Sequence, residues 1–120
     1  MRLPEEFRSR TKRFASAAIR LYVKLPRSRG EVQVLSHQLL RSATSVAAHV
    51  REASRARSDA EFTSKIDGAL QEADESQLWL ELLRDDCGIK EHELHSLLAE
   101  TNELIAVFTT IAQKTKRRSE

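Results

Sequence analysis

Residues 32 to 83 constrain this chain more than any other stretch, because they hold two long amphipathic helical patterns joined by one capped corner. In the first, Val32, Leu35, Leu39, Ser42, Val46, His49 and Ala53 alternate spacings of three and four, and Ala43, Ala47 and Val50 widen the stripe. In the second, Phe62, Ile66, Ala69, Ala73, Ser76, Leu80 and Leu83 repeat the rhythm, with Leu70 alongside. Between them, Ser58 and Glu61 have the spacing of a capping box. The Ser58 hydroxyl can accept from the Glu61 amide while the carboxylate reaches back to the Ser58 amide. A corner this short makes the two helices run antiparallel and side by side.

The same reading extends outward. A helix over 5–25 starts beside Pro4, has Glu5 and Glu6 near its positive end, and carries Phe7, Thr11, Phe14, Ala18, Leu21 or Tyr22, and Leu25 as its stripe before Pro26 stops it. Ser28 and Glu31 suggest a second capping box opening a helix over 31–55. A third helix covers 59–86, with Gly88 as its stop, and Ile89 and Leu94 are spaced as a hydrophobic staple around a cap at Lys90. A fourth, over 91–114, carries Leu94, Leu97, Leu98, Thr101, Leu104, Ile105, Phe108 and Ile111, and a basic tail follows over 115–120. The expected fold is all-α: a single domain over 1–120, an antiparallel up-down-up-down four-helix bundle.

A chain of 120 residues can bury a core without a disulfide or a metal, and the single Cys87 fits a reducing compartment. No apolar run approaches the ~20 residues a membrane span needs, and no signal-type h-region follows the N-terminus. The expectation is a cytoplasmic protein that does not engage membrane.

Gln38-Leu39-Leu40-Arg41-Ser42-Ala43-Thr44-Ser45-Val46-Ala47-Ala48, then Arg51-Glu52-Ala53, Arg55-Ala56-Arg57-Ser58 and Glu61-Phe62, carry a resemblance. Glu72-Ala73-Asp74-Glu75-Ser76 and Trp79-Leu80-Glu81-Leu82-Leu83 extend it over nearly the whole chain. The pattern resembles the four-helix-bundle proteins encoded in intervening sequences of bacterial 23S ribosomal RNA genes. More distantly it is similar to the accessory variability determinant proteins of diversity-generating retroelements. The resemblance implies a ring-like homopentamer and, for the retroelement branch, binding to nucleic acid and to a reverse transcriptase. Here Ala47-Ala48-His49-Val50-Arg51-Glu52-Ala53 lacks the Pro-Ala-Asn run of that branch, which weighs against a reverse transcriptase partner. The intervening-sequence branch implies no settled activity.

The residues themselves offer little catalytic chemistry. Glu72, Asp74, Glu75 and Glu81 crowd the third helix, but ferritin-like metal sites pair Glu with Glu-x-x-His motifs, and His49 and Glu52 stand in the reverse order with no second pair. Inter-helix ion pairs to Arg41 or Arg51 suit these acids better. His92 and His95 lack the i, i+4 spacing of a zinc helix. His37 reads as a surface residue without a partner, and His49 as a satisfied core histidine. No nucleophile stands beside a base, Cys87 reads as a packing residue, and no phosphate-cradling Gly loop is present. The expectation is a non-enzyme with no cofactor and no metal.

Charge is more informative. Residues 1–57 hold 13 Lys or Arg against 4 acids, residues 58–113 hold 3 against 13, and residues 114–120 hold 4 against 1. The antiparallel topology gathers the start of helix 1, the end of helix 2 and the chain terminus at one end. Cations near the last turns of helices 2 and 4 complement the helix dipoles, but those near the start of helix 1 do not. That basic end is read as a phosphate-binding surface for RNA or DNA, with Arg10, Arg13, Arg51, Arg55, Arg57, Lys116, Arg117 and Arg118 as contributors. The alternative is a protein-interaction scaffold whose charge halves serve self-assembly. On helix 3, a step of 100° per residue sends Leu78 and Leu82 to the far side and Trp79 to the flank, a patch read as a homo-oligomer interface. Trp79 alone also suits a place over a neighbouring helix of the same bundle.

Overall fold

The computed structural model describes residues 3–119 and consists of four helices: α1 (Glu5–Lys24), α2 (Gly30–Ala53), α3 (Asp59–Asp85) and α4 (His92–Ser119). Each helix packs closely against its two neighbours in the cycle α1, α2, α3, α4, and the backbones of the diagonal pairs do not approach closely among the described residues. Partners run in opposite chain directions along each seam. Phe7, Arg10 and Lys24 of α1 meet Phe108, Glu100 and Glu93 of α4. Arg41, Ser42 and Glu52 of α2 meet Glu75, Ser76 and Lys65 of α3. Asp59, Asp67 and Gln77 of α3 meet Arg118, Lys116 and Asn102 of α4. The result is an antiparallel four-helix bundle measuring 50 × 21 × 20 Å. No helix is long and apolar enough to cross a membrane among the described residues.

The helices begin and end largely where local chemistry dictates. Ser58 caps α3, its hydroxyl accepting from the Glu61 amide at 3.1 Å. Gly88 takes φ 70°, a left-handed conformation that suits glycine, and the Ile89 amide then reaches back to the Leu83 carbonyl at 3.0 Å. The box expected at Ser28 and Glu31 does not form. Arg29 occupies the cap, its carbonyl accepting from Gln33 at 3.0 Å, so Ser28 lies one residue too early and Glu31 binds the Arg29 guanidinium instead. The cap expected at Lys90 also moves: α4 starts at His92, with the Leu94 amide bonded to the Glu91 carbonyl.

The expected tail is the larger departure. α4 does not dissolve at Lys114 but continues to Ser119, while Glu120 lies outside the described residues. Thr115 is fully buried with its hydroxyl on the Ile111 carbonyl at 2.8 Å, and Lys116 and Arg118 pair with acids of α3, so tertiary contacts carry the helix past the end of its apolar pattern.

The core runs the length of the bundle, from Phe14, Ala18 and Leu21 through Leu39, Val46, Phe62, Ile66 and Leu80 to Leu94, Leu104 and Phe108. At its centre Ser42 and Ser76 share a buried hydrogen bond of 2.7 Å between α2 and α3. Beside it, Gly68 has a steric reason for its place inside a helix. A Cβ there would lie 2.9–3.1 Å from three atoms of the His49 ring, which rests on the glycine. His49 is therefore not the satisfied core histidine expected: it is half-buried in the α2–α3 seam, its Nδ1 has no hydrogen bond among the described residues, and Glu52 stands 3.7 Å away.

This packing makes Gly68 and His49 interdependent. In a His49→Ala background, Gly68→Ala is expected to stabilise by about 1 kcal/mol, the ordinary helical difference between Gly and Ala. In the native background the displaced ring offsets that gain, leaving a coupling of about 1 kcal/mol. Chemical denaturation of the four proteins measures it; additive effects would mean that the ring moves aside freely.

Candidate nucleic-acid interface

The cations gathered at the basic end divide sharply by which seam they face. Arg10 turns into the α1–α4 seam, where its guanidinium grips Glu100 through two bonds of 2.7 and 2.9 Å and lies 3.5 Å from Glu103. The hydrogen bond to Glu100 raises its pKa further. Lys116 pairs with Asp67 at 3.4 Å, and Arg118 holds both Asp59 oxygens at 3.0 Å. Arg57 is nearly fully exposed and reaches Glu61 only at 3.9 Å. Three of the eight expected contributors, Arg10, Lys116 and Arg118, are thus already held by carboxylates of the bundle. They cannot offer free charge to a ligand without giving up those contacts.

Arg13, Arg51, Arg55 and Arg117 are exposed and form no ion pair among the described residues. Two of them, Arg51 and Arg55, lie one turn apart on α2. They share a groove with Arg8 and Lys12, which lie one turn apart on α1. Arg8 has a loose contact with Glu5 at 3.7 Å, and Lys12 has no ion pair among the described residues. Ala15, Ala47 and Ala48 also line the groove, so only small side chains occupy the space between the cations. Glu52, at its edge, is taken up by Lys65 at 3.3 Å. Cations four apart on a helix are separated by ~6 Å along its axis, and packed helices lie ~8–10 Å apart. The groove therefore presents a compact quartet of positive charge on both sides of a shallow floor.

Arg8 and Lys12 belong to the basic end in the sequence reading but are not among its eight contributors. Their signal was present, since both lie on the flank of the Thr11–Ala15 edge of the α1 stripe, opposite the flank that carries Arg10.

The remaining expected sites sort as follows. Leu78 is 46% exposed and Leu82 half-buried, whereas Trp79 packs against the core of its own bundle with its Nε1 enclosed. His37 has a partner after all: Tyr22 Oη lies 2.9 Å from its Nε2, and the rings meet edge to face at 5.2 Å. Arg41 takes Glu72 and Glu75 at 3.7 and 3.1 Å, whereas Arg51 takes neither. Cys87 is buried, and desolvation pushes its thiol pKa up. Among the described residues, no group of three or more His, Cys, Asp or Glu is placed to hold a metal.

The Arg118 hydrogen bonds hold the Asp59 carboxyl below its ordinary range. A depressed folded pKa contributes stability that is fully present above the unfolded value, about 3.9, and is lost as pH falls through the folded one. The last two turns of α4 are therefore expected to lose amide protection by a few-fold on acidification below that range. Arg118→Gln should show the loss already at neutral pH, with no further acid transition from this pair. Hydrogen exchange read by mass spectrometry checks both.

The family model for the 23S rRNA-intervening sequence protein matches residues 6–110. The crystal structure of a protein with unknown function from the S23 ribosomal protein family of Bacteroides thetaiotaomicron is similar, at 34% sequence identity and a TM-score of 0.78, over 88% of this chain and 96% of that one. No curated protein matches the chain.

Proposed function

The chain belongs to the 23S rRNA-intervening sequence protein family, and on that premise we propose that it is a non-enzymatic, cytoplasmic, homo-oligomeric accessory protein that binds nucleic acid through phosphates at the basic end of its bundle. The observation that carries the reading is the α1–α2 groove. Lys12, Arg51 and Arg55 line it without carboxylate partners among the described residues, while Arg10, Lys116 and Arg118 nearby are neutralised. A protein gains little from leaving like charges side by side unless an anion joins them. The groove has no base-reading motif, so the binding is of RNA or DNA without strong sequence preference. In the pentamer that the family resemblance implies, every protomer repeats the groove, and a modest single-site attraction becomes multivalent.

Affinity should fall steeply with salt, because each neutralised phosphate releases counterions. Replacing Lys12, Arg51 and Arg55 together by Gln is expected to weaken binding to all sequences alike and to reduce the log–log salt slope by about 2–3. Replacing Lys116 and Arg118 should do much less, since they are occupied. Fluorescence anisotropy on single-stranded and duplex oligonucleotides across a salt series measures this. Unchanged affinity in the triple variant at low salt would leave the protein-interaction scaffold as the reading.

A further inference from the structure

Among the described residues, the large apolar side chains most open to solvent are Ile19, Val23, Val34 and Leu78, at 47, 59, 62 and 46% exposure. Ile19 and Val23 lie one turn apart on α1 and form a single ridge. Arg20 flanks that ridge, exposed and without an ion pair among the described residues. Leu78 and the half-buried Leu82 form an equivalent ridge on α3, again one turn apart. Asp74 and Glu81 flank this second ridge, likewise without an ion pair among the described residues, and no Lys or Arg occurs between Ile66 and Leu83. The two ridges match in spacing and apolar character and are opposite in charge.

Their placement decides what they meet. Helices α1 and α3 are diagonal in the bundle, so their outer faces look to opposite sides and one protomer does not join its own two ridges. Setting α1 ridges of two copies together brings Arg20 against its equivalent. Setting α3 ridges together brings Asp74 and Glu81 against theirs. Like charges juxtaposed at an interface are penalised, and opposite ones favoured. Only α1 on α3 satisfies both the apolar contact and the charge.

We propose that the outer face of α1 in one copy seats on the outer face of α3 in the next, with Ile19 and Val23 against Leu78 and Leu82, and Arg20 opposite Asp74 and Glu81. The proposal rests on the homo-oligomeric reading above and specifies its surface. Each protomer then uses two different faces, so the contact is heterologous and propagates into a ring or a filament, not a two-fold dimer.

Sedimentation velocity of the full chain at micromolar concentration tests it with two variants. One carries Arg20→Glu and Val23→Glu, which makes the α1 ridge acidic; the other carries Asp74→Lys and Glu81→Lys, which makes the α3 ridge basic. Each alone is expected to associate at least tenfold more weakly than the native protein, and an equimolar mixture to form mixed complexes that neither variant forms alone. A mixture that stays dissociated, or either variant assembling like the native chain, overturns the pairing while leaving the oligomeric reading intact. A native chain that is monomeric overturns both. Because introducing two glutamates can disturb folding, Arg20→Glu mixed with Glu81→Lys repeats the test with the apolar ridges untouched, and failure of that mixture to associate more tightly than Arg20→Glu alone also overturns the pairing.

Discussion

The close approach of α2 and α3 sets the geometry on which the rest of the bundle depends. Ala43, Ala69 and Ala73 are fully buried, Gly68 lies beneath the His49 ring, and the Ser42 and Ser76 hydroxyls sit 2.7 Å apart. Each hydroxyl also reaches a carbonyl of its own helix, Ser76 that of Glu72 at 2.8 Å and Ser42 that of Leu39 at 3.2 Å. Such a buried bond contributes only about 1 kcal/mol net, but an orphaned hydroxyl in the same place costs more, so the pair penalises any slip of one helix past the other. With that register fixed, Arg41 arrives opposite Glu72 and Glu75, and Lys65 opposite Glu52.

The charge pattern of the surface follows from which helices become neighbours. Only α1 and α2 are adjacent while both drawn from the basic half of the chain, so their shared groove collects Arg8, Lys12, Arg51 and Arg55 and has almost no acid to spend on them. The α1–α4 seam joins a basic helix to an acidic one and is stitched by Arg10 to Glu100 and Lys24 to Glu93. Helices α3 and α4 both come mainly from the acidic half. Their seam is relieved where the basic end of α4 reaches Asp67 and Asp59. On the outer face of α3, Asp74 and Glu81 form no ion pair among the described residues, and Glu81 has only the nearby charge of Arg84.

The last turns of α4 therefore belong to the architecture. Burial of Thr115 and the two ion pairs to α3 make Lys116 and Arg118 fasteners of the bundle end, and the free positive charge lies instead across the α1–α2 seam. This separates two roles that a count of basic residues merges. Some cations hold helices together; others are left facing outward by the same packing.

By itself the sequence determined the number of helices, their approximate bounds, the antiparallel order and the core stripes. Each of these depends on contacts three or four residues apart along one helix: the apolar spacing, the Ser58 cap and the Gly88 stop. It did not determine which cation meets which carboxylate. Arg10 and Arg13 looked alike in the sequence, yet one is clamped by Glu100 and the other is exposed, because a long side chain at a helix flank goes wherever the neighbouring helix presents a partner. Trp79 went to its own bundle, and the terminal basic residues became helical, for the same reason. Those outcomes turn on register and rotation between helices far apart in the chain, which only the packed core of all four fixes.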